Sequence, residues 1–270
     1  MRRININESI KKAVRWSIMS VLNEDRIEHQ NGMVEVDNFD AVKNIMEFKD
    51  PNDTLYFVQI VKRDKDNPGQ KSEFNAAMYL KEYYIKSVKE FEGLEYEIKS
   101  ICAKENARAY VWLNPRSQAM VDQYTKVNMS RWKRNPKEGR RFGWKAKALA
   151  AGKGLDVPER PLCFIDVDSD DRKEITMVMD IIKKAGIKPL YAYRSLNNGM
   201  HIILPDKEAA KKLDFSPING NLQGLGRVAK MNAKVGVEID KPTLLYACLK
   251  PQGYDKQQAR FAKLANRKNP

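Results

Sequence analysis

Between residues 8 and 22 apolar side chains (Ile10, Ala13, Val14, Ile18, Val21 and Leu22) alternate with basic ones at helical spacing, which predicts an amphipathic helix. Residues 39–48 read as a second short helix, with Asp37 or Asn38 as its cap. "DTLYFVQIVKRD" is rich in β-branched and aromatic side chains and predicts a strand over 55–61. "KDNPGQ" reads as a turn and "AAMYLKEYYI" as a second strand, so the two form a hairpin. Over 87–104, Val88, Phe91, Leu94, Ile98 and Ile101 share one side of a helix. "ARAYVWLNP" is a strand ended by Pro115, and a further helix begins near Ser117. From 131 to 160 the chain is basic and contains glycine, and it loses regular periodicity after Leu149, as a functional loop or module junction does.

The second half is clearer. "PLCFIDV" is a short apolar strand, and "DRKEITMVMDIIKKAG" is an amphipathic helix with acidic groups at its start and Gly186 at its end. "KPLYAYRS" and "MHIILP" are strands joined by a turn at "LNNG", where Asn and Gly tolerate positive φ. Residues 206–213 read as a short helix, 217–236 as loop, and "TLLYACL" as the last strand. The order β-α-β-β-(α)-β predicts an α+β protein with a ferredoxin-like or RRM-like module, a sheet with helices on one face. The expected organisation is an N-terminal helical segment over 1–50, an αβ module with a basic loop over 51–160, the RRM-like module over 161–250 and a basic tail over 251–270.

Composition narrows the function. The chain has 270 residues, 42% hydrophobic and 31% charged, which is enough for a substantial core. No apolar run approaches the ~20 residues of a membrane span, and the N-terminus lacks the apolar core of a signal peptide. A cytoplasmic protein without a membrane partner is expected. Cys102, Cys163 and Cys248 are isolated, and His29 and His201 are the two histidines, a poor set for a structural zinc site. Lys and Arg number 49 against 35 Asp and Glu, a formal net charge of +14, which favours a polyanionic partner such as nucleic acid. Arg131, Lys133, Arg134, Arg140, Arg141 and Lys145 crowd one segment, interleaved with Trp132, Phe142 and Trp144. Basic groups neutralise phosphates and aromatic faces stack on bases, so this segment is the candidate nucleic-acid contact.

A basic chain nevertheless gathers acids at one strand end, "CFIDVDSDD". Asp166 and Asp168 are two apart, so a strand projects both to one face, where they suit one or two divalent cations. The bland alternative is a solvated strand end or the cap of the following helix. In "RSLNNGMHIILP", Arg194, Ser195 and His201 flank a tight turn; an Arg, a hydroxyl, an imidazole and turn N–H groups together suit phosphate. Asp240, followed by Lys241, ends the apolar stretch "VGVEID". It completes a three-carboxylate site if the last strand, "TLLYACL", packs beside the first.

These three elements resemble the archaeo-eukaryotic primase, or prim-pol, superfamily. Its pattern is an apolar strand ending in DxD, a Ser-x-His or Ser-Gly-Gly-x-Gly-x-His hairpin, and an apolar-Asp element. Here those are Phe164-Ile165-Asp166-Val167-Asp168, then Ser195-Leu196-Asn197-Asn198-Gly199-Met200-His201, then Ile239-Asp240. Leu196 and Asn197 stand where the long pattern has glycines, and no cysteine-rich zinc knob is visible. The resemblance implies a primase-polymerase that uses nucleoside triphosphates on a single-stranded or primed template. Asp166, Asp168 and Asp240 would hold two Mg²⁺ or Mn²⁺ ions, and Arg194, Ser195, His201 and Lys241 would hold the triphosphate. It also allows a separate helicase as partner and a virus- or plasmid-encoded origin. The alternative function is a primase-like nucleic-acid-binding protein without the activity. A metal-dependent nuclease or relaxase is less favoured, since a His-x-His pair is absent, and a palm-type nucleotide cyclase would want a different acidic hairpin.

Overall fold

The computed structural model describes residues 33–50, 52–67, 77–134, 161–169, 171–196, 199–220 and 234–250, without the side chains of Thr125 and of residues 128–134. The expected helix over 8–22, most of the basic segment and the C-terminal tail lie outside the described residues. The architecture is α+β, built on two antiparallel sheets. Among the described residues no helix is long and apolar enough to cross a membrane.

In the first sheet the order is β1 (Val34–Asp37), β10 (Pro242–Leu249), β4 (Arg108–Trp112), β2 (Thr54–Arg63), β3 (Ala77–Ile85), with the short β5 (Arg116–Ser117) added to β2. β2 and β3 form the expected hairpin, with Phe57 opposite Tyr84. β2 is apolar along nearly its whole length because both its faces are covered. On one side α2 (Val88–Glu105) inserts Phe91, Ile98 and Cys102 into a cluster with Tyr56, Val58 and Ile60. On the other, Val121 of α3 (Gln118–Arg134) meets Leu55 and Phe57. The Ser87 hydroxyl caps α2 by accepting from the Glu90 N–H at 3.1 Å, while the Glu90 carboxylate accepts from the Lys86 N–H. The helix ends at Asn106, in the left-handed region at φ +51°, where Asn is among the tolerated residues.

In the second sheet the order is β7 (Tyr191–Arg194), β8 (Met200–Leu204), β6 (Cys163–Val167), β9 (Val235–Ile239). Its outer face is covered by α4 (Arg172–Lys184), whose Ile175, Val178 and Ile182 pack on Ile165, Val167, Met200 and Ile202. The Asp171 carboxylate caps α4 by accepting from the Lys173 N–H. The inner face sends Phe164, Tyr193 and Ile203 into the same cluster as Val58, Val111 and Tyr246 of the first sheet. Burial on both faces is why "CFIDV" and "MHIIL" read as near-continuous apolar runs.

Three sequence expectations are corrected. "TLLYACL" does not close the second sheet: as β10 it inserts between β1 and β4 in the first, with Thr243 opposite Val111. The fourth strand of the second sheet is β9, whose first two residues fall in the stretch expected as loop, because "VGVEI" is short and carries a glycine. The helix expected over 39–48 is confined to α1, Phe39–Lys43. Asn38 precedes it, but its side-chain amide donates to the carbonyls of Leu244 and Arg194 at 3.0 and 3.1 Å, joining the two sheets, and Asp37 accepts from the Phe39 N–H. Among the described residues between β8 and β9 are the short helices α5 (Lys207–Ala210) and α6 (Ser216–Asn219).

The passage from β9 to β10 turns at Asp240, which adopts φ +51°. Its carboxylate accepts both bonds from one Arg116 guanidinium nitrogen, at 2.6 and 2.7 Å. The Asn114 amide donates to Asp240 and to the Leu162 carbonyl, and the Leu162 N–H donates back to Asn114. The Arg116 side chain is only 2% exposed, so removing its acid strands a buried cation, which typically costs about 3–5 kcal/mol. Asp240→Ala is therefore expected to lower the stability of the fold by about 3 kcal/mol, read as a lower denaturant midpoint. A midpoint unchanged from wild type would remove Asp240 as the fastener of this turn.

Candidate active site

Where the two sheets meet, the described residues enclose a cleft of about 460 Å³. One wall comes from the end of β2 and from β4: Arg63, Lys65, Arg108 and Tyr110. The other comes from the second sheet: Asp166, Asp168, Ser195, His201 and Glu238. One side is basic and the other mainly acidic.

Asp166 lies on β6 directly across from His201 on β8. Cross-strand partners on one face stand close, and His201 Nε2 is 3.3 Å from Asp166 Oδ1. The Asp166 side chain is 40% exposed while the His201 side chain is 9% exposed, so the carboxylate faces the cleft and the imidazole forms its floor. Phe164 packs against the ring with centroids 4.9 Å apart, and Tyr193 meets it edge-on at 5.7 Å. On the side away from Asp166, His201 Nδ1 lies 2.6 Å from Thr243 Oγ1, which is also 2.7 Å from the Tyr193 hydroxyl. Asp168 is one residue beyond the strand, exposed, with its N–H donating to the Lys234 carbonyl.

The β7–β8 connection brings Ser195 to the same place. Its N–H donates to the Gly199 carbonyl at 2.9 Å, and its hydroxyl donates to the Leu196 carbonyl. Asn197 and Asn198, at the tip of the expected turn, lie outside the described residues. Gly199 is required by space: a Cβ there would overlap the Val167 carbonyl oxygen and the Ser195 hydroxyl. The turn is thus pressed against the end of the strand that carries Asp166.

On the basic wall, Arg108 is held in a buried bidentate pair with Asp66, with Nε 2.7 Å from the carboxylate. Arg63 donates to the Tyr110 hydroxyl at 3.3 Å. Lys65 stands in the 3-10 turn Asp64–Asp66 that follows β2. Burial holds its ammonium below the ordinary lysine range, and the cations of Arg108 and Arg63 push in the same direction. Arg63, Lys65 and Arg108 thus stand together on this wall, with Asp66 paired to Arg108.

The expected site residues divide. Asp166, Asp168, Ser195, His201 and Lys241 line the cleft. Asp240 and Arg194 are not among its lining residues. The strand ends at Ile239, and the positive φ of Asp240 turns its side chain to Arg116. Arg194 closes β7 and gives its carbonyl to Asn38. Arg131, Lys133 and Arg134 fall on α3, in the part whose side chains are not described, while Arg140, Arg141 and Lys145 lie outside the described residues. Glu238 is the carboxylate that sequence reasoning passed over. β9 pairs it with Phe164 and pairs Gly236 with Asp166, so period-two alternation puts it on the face of Asp166. That alternation was readable in "VGVEI" once the segment was taken as a strand. Among the described residues no three of His, Cys, Asp and Glu are grouped so as to hold a metal ion.

No family model, no curated protein and no solved structure matches this chain.

Gly199→Ala forces backbone to move at the junction of β6 and the hairpin. A loss of about 2 kcal/mol in unfolding free energy is expected. Full stability in this variant would contradict the close approach.

Proposed function

We propose that the protein is a metal-dependent nucleotidyltransferase of the primase-polymerase type, acting on a nucleic-acid template. The observation that carries this reading is the pairing of Asp166 with His201 across β6 and β8, in one cleft with Asp168 and Ser195 and facing Arg63 and Lys65. The order of the second sheet supports it as well. With β6 central, β8 and β9 on its two sides and β7 outside β8, the order is compatible with the expected RRM-like module, with α4 on the outer face.

The donors suit the implied ions. Asp166 and Asp168 offer hard carboxylate oxygens of the kind that Mg²⁺ and Mn²⁺ take. A bound divalent ion would supply charge neutralisation at a phosphoryl group and activation of an attacking hydroxyl. The residues of the chain supply the rest. His201, fixed by Thr243 and by the Phe164 and Tyr193 rings, and Ser195, fixed by the hairpin, hold phosphate oxygens at the floor of the cleft. Arg63, Lys65 and Lys241 balance the charge of a polyphosphate as it enters. The net charge of +14 and the basic run around Arg131 and Arg140 suit a nucleic-acid partner.

One observation favours a second reading. Asp240 is committed to Arg116, so the three-aspartate set implied by the prim-pol resemblance is not assembled. On that reading the chain binds nucleic acid without polymerising. Glu238 separates the two: it is the remaining carboxylate on the acidic wall.

The test is primer extension on single-stranded DNA with Mg²⁺ or Mn²⁺. Incorporation is expected in wild type, falling about 10²–10³-fold in Asp166→Ala, Asp168→Ala and Glu238→Gln, with DNA binding retained in each. Binding without incorporation under either metal overturns the enzymatic reading in favour of the second, and cleavage without nucleotide addition overturns both.

A further inference from the structure

Thr243 belongs to the first sheet, yet its hydroxyl is the partner of two side chains of the second. It is 2.6 Å from His201 Nδ1 and 2.7 Å from the Tyr193 hydroxyl, and Thr243 is 0% exposed. Among the described residues no other side-chain partner of either hydroxyl is present. The directions of these bonds follow from counting protons. A threonine hydroxyl donates once and accepts twice, and a neutral imidazole donates from one nitrogen and accepts at the other.

A neutral ring admits one arrangement that closes and others that strand a proton. In the first, Tyr193 donates to Thr243, Thr243 donates to His201 Nδ1, and the imidazole proton sits on Nε2, aimed at the Asp166 carboxylate 3.3 Å away. In the second, His201 donates from Nδ1 to Thr243 and Thr243 donates to Tyr193. The phenol proton is then without an acceptor at a buried position, and the Nε2 lone pair faces a carboxylate. A stranded buried donor and a lone pair against an acid are both unfavourable, so the first arrangement prevails. The phenol is a dependable donor here, because burial pushes Tyr193 well above the usual tyrosine range.

We infer that Thr243 is a positioning residue that, by donating to Nδ1, holds His201 with its proton on Nε2 and so presents an N–H donor to phosphate oxygens in the cleft. This rests on the phosphate-binding role proposed above for His201. It assigns a function to a buried hydroxyl of the first sheet, and it makes that sheet responsible for the chemistry of the second.

The experiment uses the full chain and two readouts. The ¹⁵N chemical shifts of the His201 ring, recorded where the ring is neutral and assigned with a His29→Gln variant, report the tautomer. Titration with inorganic tripolyphosphate reports the anion. Wild type and Thr243→Ser are expected to show a protonated Nε2 and an unprotonated Nδ1. Thr243→Val, which keeps the shape and removes the hydroxyl, is expected to show a mixture of tautomers, whereas Tyr193→Phe, which leaves Nδ1 as the one side-chain acceptor for the threonine proton, is expected to keep the wild-type tautomer. The tripolyphosphate affinity of Thr243→Val is expected to fall about tenfold, with Thr243→Ser and Tyr193→Phe close to wild type. A wild-type ring protonated on Nδ1, or Thr243→Val with the wild-type pattern and affinity, overturns the inference. If His201→Gln binds tripolyphosphate as tightly as wild type, the phosphate role falls instead, and the tautomer spectra show which of the two failed.

Discussion

The arrangement of this molecule depends on one buried ion pair, Arg116 with Asp240. An almost fully buried guanidinium requires an acid, and the acid that meets it sits at the turn where the chain leaves the second sheet. The consequence runs outward residue by residue. With Asp240 held, Pro242 begins β10 beside Trp112, and Thr243 arrives beneath the imidazole of His201. Asn114 ties the same point to Leu162, at the entrance of β6, the strand that carries Asp166. A residue that looked catalytic from its place in the sequence is thus placed to shape the site without lining it.

The cleft answers why a strongly basic chain concentrates acids at one strand end. Asp166 and Glu238 project from adjacent strands toward the wall that bears Arg63 and Lys65, with Asp168 just beyond the strand end. Like charges lie side by side on each wall, and on Lys65 burial, with the cations of Arg108 and Arg63 acting in the same direction, lowers the proton affinity. A cation on one wall and a polyphosphate on the other relieve both at once. That complementarity is the physical content of the proposed nucleotidyl transfer, and it is independent of the fold.

Much of the fold was legible because its periodicities are strong. The runs that became β2, β3, β6 and β8 are apolar or β-branched over most of their lengths, and α2 and α4 carry clear apolar faces with capping residues at Ser87 and Asp171. What was not legible concerns pairing over long separations. Nothing local in "TLLYACL" tells which sheet receives it, since a strand covered on both faces has no distinguishing side. β1 and β9 are too short to stand out. In the site, the pairing of Asp166 with His201 followed from the expected β-α-β-β order, whereas the diversion of Asp240 required knowing that Arg116 is buried beside it. Glu238 was missed for the same reason as its strand.

The most direct test of the central claim, that Asp166 and His201 share a site for a divalent ion and a nucleoside triphosphate, is paramagnetic broadening. With Mn²⁺ and a nucleoside triphosphate added to the full chain, the account predicts that the ring resonances of His201 broaden strongly, and that Asp166→Asn abolishes the effect. Ring resonances of His201 that stay sharp with Mn²⁺ and nucleotide both in large excess would contradict it.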